Sequence, residues 1–333
     1  MSAVFPDRLP SWTWWLPLPI FHLGTWISLA TRLNDGVALC YLPLVLGLTL
    51  CLWWGPRVLP ALYLNALFSV PLWGLPWQWA PLYALPETAA VALGWWLLQR
   101  QVFDPALGRL SDLLRFFALG VLVPATLLAL GLQTNLWLTG LQIGERWALA
   151  SLSIWLTDAI NLLALCAPLL AFATPLLRAR GWLRKWAETP GTTSLLSVSP
   201  SAWLLAAGVF VLLLVLLGSL PLLLALPVLG ISMLVLALRH AFVGALYGVI
   251  LGYCATLVLP LLRTSLGQED LDLQRNQLQL AVLLLMGAVL LVGRALSDLR
   301  QTLALSAQIQ QQLARANLAM EASPLGVTIA DAR

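Results

Sequence analysis

The sequence predicts an all-α, polytopic membrane bundle of about ten transmembrane helices that continues into a cytoplasmic coiled-coil signalling helix. Three observations carry that reading. Of the 333 residues, 60% are hydrophobic and only 10% are charged, with a mean hydropathy of +0.88, well outside the balance of a soluble domain. The apolar residues fall into separate runs, most of them near the 20 residues that a bilayer core requires. And the basic residues collect in alternate connections between those runs, as the positive-inside rule requires.

Taken in order, the runs cover about 12–30, 36–54, 57–74, 80–99, 113–138, 147–173, 201–218, 220–238, 241–262 and 277–294. The first is weakened by Pro17, Pro19 and His22, and the third ends in a Pro/Gly/Trp cluster, so the count ranges from eight to ten. With the N-terminus in the cytoplasm, Arg8, Arg57, Arg100, Arg109, Arg115, Arg178, Arg180, Arg184, Lys185, Arg239, Arg294, Arg300, Arg315 and Arg333 lie inside. Arg32, Arg146, Arg263 and Arg275 lie outside, which completes the 18 basic residues. A miscounted span would invert every later connection and erase this asymmetry, so both termini are expected in the cytoplasm. Trp53, Trp54, Trp73, Trp77, Trp79, Trp95, Trp96 and Trp137 stand at run ends, as an interfacial aromatic belt would.

Several classes are excluded or disfavoured. The net charge of +4 belongs to these short loops, not to a nucleic-acid surface. Cys40, Cys51, Cys166 and Cys254 lie singly in apolar runs, with no zinc or disulfide spacing. No HExxH, phosphate loop, GxSxG or Cys/His cluster is present, so no catalytic residue, metal or cofactor is assigned. The longest outside loop, about 263–277, is too short to form a ligand-binding domain. An external signal must be read within the bundle, at its mouth, or through a membrane-protein partner.

The organisation follows. Residues 1–177 carry the first six spans. A basic loop with Trp182 and Trp186 occupies 178–200 and is suited to anionic headgroups. The last four spans fill 201–294, and no internal repeat of the transporter kind relates the two groups. From Arg294 the chain reads "RALSDLRQTLALSAQIQQQLARANLAM", free of Pro and Gly and rich in helix formers. One helix is therefore expected to leave the membrane without interruption over 295–322. Ala295, Leu299, Thr302, Ser306, Ile309, Leu313, Ala316 and Met320 recur in alternating steps of four and three, the seam of a two-stranded coiled coil. Thr302 and Ser306 weaken it, giving a marginal homodimer contact. The alternative is an amphipathic helix resting on a neighbour. Ser323–Pro324 stops the helix, and "LGVTIAD" alternates like a first strand.

The ending "MEASPLGVTIADAR" resembles the approach to a PAS sensory domain, which would make 323–333 its truncated start. Three earlier stretches, "YLPLVLGLTLCLWWGPRVLPALYLNALF" at 41–68, "LPETAAVALGWWLLQR" at 85–100 and "SIWLTDAINLLALCAPLLAF" at 153–172, resemble the membrane-associated sensor family of the first class, the MASE family. This chain has Thr157 and Asn161 where that family often carries glycines. The resemblance implies a sensory input module ahead of a histidine kinase or a cyclic-di-GMP enzyme.

Ionisable side chains inside a bilayer are costly and mark functional or locking sites. Glu87 follows Pro86 in the fourth run, and Asp158 sits in the middle of the sixth with Asn161 on the same face and Trp155 and Thr157 beside it. A shared polar pocket between the fourth and sixth spans is expected, either binding a small molecule or proton, or locking the bundle through Glu87, Asp158, Asn161 and Asn65. His22 reads as a hydrogen-bonded core group in preference to a metal or haem ligand. The other function class compatible with intramembrane acids is a transporter or channel; a scaffold for another membrane protein is a third.

Overall fold

The computed structural model describes residues 9–32, 38–141, 147–184, 211, 213, 215, 220, 222–265 and 271–321. Their regular secondary structure is helical, with one isolated bridge between Arg32 and Ala38. After a single turn at Trp12–Trp15 come α1 (Pro17–Ala30), α2 (Leu42–Trp54), α3 (Leu59–Ser69) and α4 (Ala80–Gln99). They are followed by α5 (Leu110–Leu138), α6 (Trp147–Ala179), α7 (Leu222–Ser265) and α8 (Leu271–Glu321).

Four helical stretches are long and apolar enough to cross a bilayer: α5, α6, Leu224–Val258 of α7 and Asn276–Leu318 of α8. The expected runs 12–30, 36–54 and 57–74 fold into shorter helices of 14, 13 and 11 residues. At 1.5 Å per residue these span about 16–21 Å against a hydrocarbon core of about 30 Å. Proline and glycine set those lengths. Pro43 starts α2 and Gly55 ends it at φ +84°, while α3 gives way to a 3₁₀ turn at Val70–Trp73 that closes on Gly74 at φ +78°. The 20-residue α4 has the length of a crossing, but its Trp, Tyr, Pro and Glu87 dilute its apolar character. The run 201–218 lies outside the described residues save for positions 211, 213 and 215.

Short α2 is the axis of the core. Leu44, Leu48 and Leu52 are fully buried, and even Trp53 and Trp54 are covered. A helix that is apolar on every side belongs inside. Around it pack α1, α4 and the middle of α6.

Both long helices α5 and α6 carry a π-helical segment, at Phe116–Leu122 and Leu162–Cys166. In each, a proline follows two residues later, Pro124 and Pro168. Proline lacks an N–H, and its ring collides with the carbonyl four residues back. Here those carbonyls belong to Gly120 and Ala164, and the wider i→i+5 turn accommodates the ring without breaking the helix.

The helical stretch α7 folds back on itself at Ala241, where φ is +51° and ψ −132°. A Cβ on Gly248 would lie 3.3 Å from the Cα of Met233, whereas a straight helix would separate these residues by about 22 Å. The two arms correspond to the runs expected at 220–238 and 241–262, and both contribute to the face on which α8 packs. Helix α8 then continues without a break for 51 residues. From Gln301 to Leu318 every residue is exposed, including Ile309 and Leu313 of the expected seam. Thus the uninterrupted helix read from the sequence is present through Glu321. Residues 322–333, where the PAS-like start was expected, lie outside the described residues.

Candidate functional site

Proline inside α4 opens the site. Pro86 provides no N–H for the carbonyl of Leu82, and Asn135 of α5 supplies the replacement, its Nδ2 donating to Leu82 O at 2.8 Å. The two helices meet at Gly131, where a Cβ would stand 2.8 Å from Pro86 Cβ. This close seat brings the next residue, Glu87, to the interior, 3% exposed.

Glu87 faces a cavity of about 430 Å³. Its walls come from six segments: Arg32 after α1, Tyr41 before α2, Ser69 and Trp73 around the end of α3, Tyr83 and Glu87 of α4, Gln133 of α5, and Thr157 and Asp158 of α6. Leu128, Leu132, Leu136 and Ile154 supply apolar surface. Glu87 and Asp158 both line this cavity, at the end of the bundle that holds residues 38–41, 70–79 and 139–141.

The polar groups are incompletely matched. Tyr41 Oη donates to Glu87 Oε2 at 2.8 Å. Among the described residues, Glu87 Oε1, Asp158 Oδ2 and Gln133 Oε1 have no hydrogen-bond partner. Tyr83 is committed to Thr139, 2.6 Å between hydroxyl oxygens, and Arg32 lies over the Trp73 ring at 5.9 Å. On insertion scales a carboxylate at mid-span costs about 2.5–3.5 kcal/mol, while an interhelical hydrogen bond contributes about 0.6 kcal/mol on average. One bond from Tyr41 does not offset the burial of Glu87, and among the described residues Asp158 Oδ2 has none.

Other residues singled out in the sequence lie elsewhere. Asn161 is fully buried, with neither amide atom partnered among the described residues, but it stands outside the cavity wall, immediately before the π segment of α6. Asn65 locks α3 to α1 through Thr25, its Nδ2 donating to Thr25 Oγ1 at 3.0 Å. Trp155 donates to Thr126 of α5 at 2.9 Å. His22 is exposed and accepts from Trp26 at 3.1 Å.

Three participants escaped the sequence reading. Tyr41 and Gln133 are ordinary in composition and gain meaning only from their neighbours. Gln279 of α8 is the third: its Nε2 donates to Thr157 Oγ1 at 3.1 Å, so a cavity-wall residue is bonded directly to the exit helix. Thr157 also donates to its own helix at Ser153 O, 2.9 Å. A polar residue near the start of an apolar run was the available signal.

At the opposite end α8 is anchored again. Arg294 is 5% exposed; its Nε and Nη2 donate to Asp298 Oδ1 at 2.9 and 2.5 Å, and Nη1 reaches Leu107 O at 3.4 Å. The N–H of Leu110 donates to Asp298 Oδ2 at 3.0 Å. Leu107 is fully buried at φ +54°, a conformation costly for a bulky residue that persists where surroundings over-determine it. Close by in the same connection, Arg178 holds Asp104 at 2.7 Å.

A multi-pass helical membrane protein with an acid-lined cavity tied to one long projecting helix is the class that fold and site define. The chain belongs to the MASE1 family, whose family model matches residues 16–312. The family is a membrane sensory module of signalling proteins. Comparison with curated proteins and with solved structures gave no significant match.

Proposed function

We propose that this chain is the input module of a dimeric bacterial signal-transduction protein, in which occupancy of the Glu87/Asp158 cavity moves α6 against α8. Helix α8 carries that movement out of the bilayer to a PAS domain and a cytoplasmic output, either cyclic-di-GMP turnover or a histidine kinase. The topology that goes with this reading has about ten crossings in the inner membrane and both termini in the cytoplasm. The homodimer contact runs along Leu299, Thr302, Ser306, Ile309, Leu313, Ala316 and Met320, and a second membrane protein is a further possible partner.

The single observation that carries the reading is the Thr157–Gln279 hydrogen bond, because it joins the cavity wall to a 51-residue helix that continues beyond the bundle. An exposed apolar stripe on that helix supports pairing: Leu299, Ile309 and Leu313 are about half-exposed in the single chain, and such a surface favours a partner. A transporter has no evident use for a long projecting helix with such a stripe.

Cysteine cross-linking in membrane vesicles tests it. Single cysteines at 299, 306 and 313 are expected to form covalent dimers readily, and cysteines at 304 and 311, on the far side of the heptad, are not. The Asp158→Asn variant is expected to change the cross-linking yield along the seam. Equal yields at all five positions, or a seam indifferent to Asp158, would overturn the proposal.

A further inference from the structure

Resting on the cavity's role as the sensing site, we infer that it takes a small organic cation, a primary ammonium with a short apolar or aromatic body. Hydrogen-bond bookkeeping at the cavity wall leads there. Three acceptors, Glu87 Oε1, Asp158 Oδ2 and Gln133 Oε1, lack partners among the described residues, and their side chains are 3%, 3% and 2% exposed. Donors without partners do occur in the bundle, at Trp54, Trp95, Asn161 and Tyr253, yet none of these residues lines the cavity. Among the described residues, every buried side-chain atom on the cavity wall that lacks a partner is thus an acceptor; the guanidinium donors of exposed Arg32 lie over the Trp73 ring. A primary ammonium presents three N–H donors and no acceptor, which matches that deficit in kind and in number.

Charge agrees. Two carboxylates and one guanidinium, from Glu87, Asp158 and Arg32, line the space. With all three ionised they leave one negative charge in a region where uncompensated charge is expensive. A monovalent cation makes the set neutral. An anion would meet both carboxylates, and a neutral alcohol would supply at most one donor. Size and shape set the rest of the ligand. A volume of about 430 Å³ falls within the range of small-molecule sites and exceeds what an inorganic ion needs. Leucine side chains of α5 and the Trp73 ring offer an apolar and aromatic seat for a body attached to the ammonium.

The test is direct binding to the purified chain in nanodiscs, read as a shift in thermal unfolding at constant ionic strength. The probes are n-butylammonium and 2-phenylethylammonium, each against its matched alcohol, with phenylacetate and potassium chloride as further controls. Saturable stabilisation by an ammonium probe, absent with the alcohols and phenylacetate, is expected, since binding to the folded state alone raises the transition temperature. Glu87→Gln and Asp158→Asn are each expected to weaken the apparent affinity about tenfold or more, the scale of a charge-assisted hydrogen bond. The inference is overturned if neither ammonium binds, if the alcohols or phenylacetate bind as well, if potassium alone gives the same shift, or if both variants keep wild-type affinity. Selectivity is measured on the wild-type protein, so a poorly folded variant does not blunt the test. Failure here with a seam that still responds to Asp158→Asn removes the ligand class and leaves the relay; binding with an indifferent seam removes the relay and leaves the ligand class.

Discussion

Two of the polar contacts that hold helix α8, at Arg294 and at Gln279, are built on opposite terms. Beside Arg294 the polar groups are largely matched: the guanidinium uses three nitrogens on Asp298 and Leu107, and Asp298 also accepts from Leu110. Asp112, whose Oδ2 lacks a partner among the described residues, still stands 3.7 Å from Arg115. Beside the cavity, Glu87, Asp158 and Gln133 all retain unmatched acceptors. A buried polar network that closes on itself fixes geometry; one left open carries a cost that only a further interaction removes. The difference separates an anchor from the surface proposed above to sense, although both involve carboxylates inside one bundle.

That contrast fixes the sign of two substitutions. The largest effect is expected from Asp298→Ala, which leaves Arg294 buried without its carboxylate. Loss of one partner from a buried pair costs about 3–5 kcal/mol, toward the lower end here because the Asp298 side chain is about a third exposed. Thermal unfolding in detergent should show it as a marked fall in transition temperature, largely restored when Arg294→Met is added. Glu87→Gln should act the other way. It removes a charge that one hydrogen bond does not offset, and the amide oxygen can still accept from Tyr41. The unliganded protein is expected to gain up to about 2–3 kcal/mol. If Glu87→Gln destabilises as much as Asp298→Ala, the cavity is a lock like the base, and the contrast collapses.

How much of this was legible follows from what each feature depends on. Glu87 and Asp158 stood out because an acid inside an apolar run is rare whatever surrounds it. The length of α8 was legible because nothing in 294–320 interrupts a helix. Cross-helix register was not. Tyr41, Gln133 and Gln279 acquire roles only when three other helices are rotated to face them, and composition does not encode rotation. Trp155 was placed beside the pocket by sequence proximity, but its position on α6 turns it toward Thr126. Arg294 read as a basic residue at a membrane exit, whereas its burial depends on a loop at 104–110 that is distant in sequence. The runs 36–54 and 57–74 extend beyond their α-helices, α2 and α3, because hydropathy continues through Pro, Gly and Trp positions where α-helical geometry does not.

The smallest stability effect belongs to the residue with the largest expected effect on communication. Gln279→Leu removes one neutral hydrogen bond between helices, for which about 0.6 kcal/mol is typical, and replaces a half-satisfied amide by a side chain of similar bulk. Its Oε1 already lacks a partner among the described residues, so burial of the amide is itself a cost that leucine relieves. The transition temperature should move little. The cavity should bind as before, because Gln279 does not line it. What should be lost is the dependence of seam cross-linking on Asp158, since Thr157 would no longer hold α8 through Gln279. A Gln279→Leu protein whose seam still responds to Asp158→Asn would show that α6 moves α8 through packing alone, and the hydrogen bond would then be incidental to the relay.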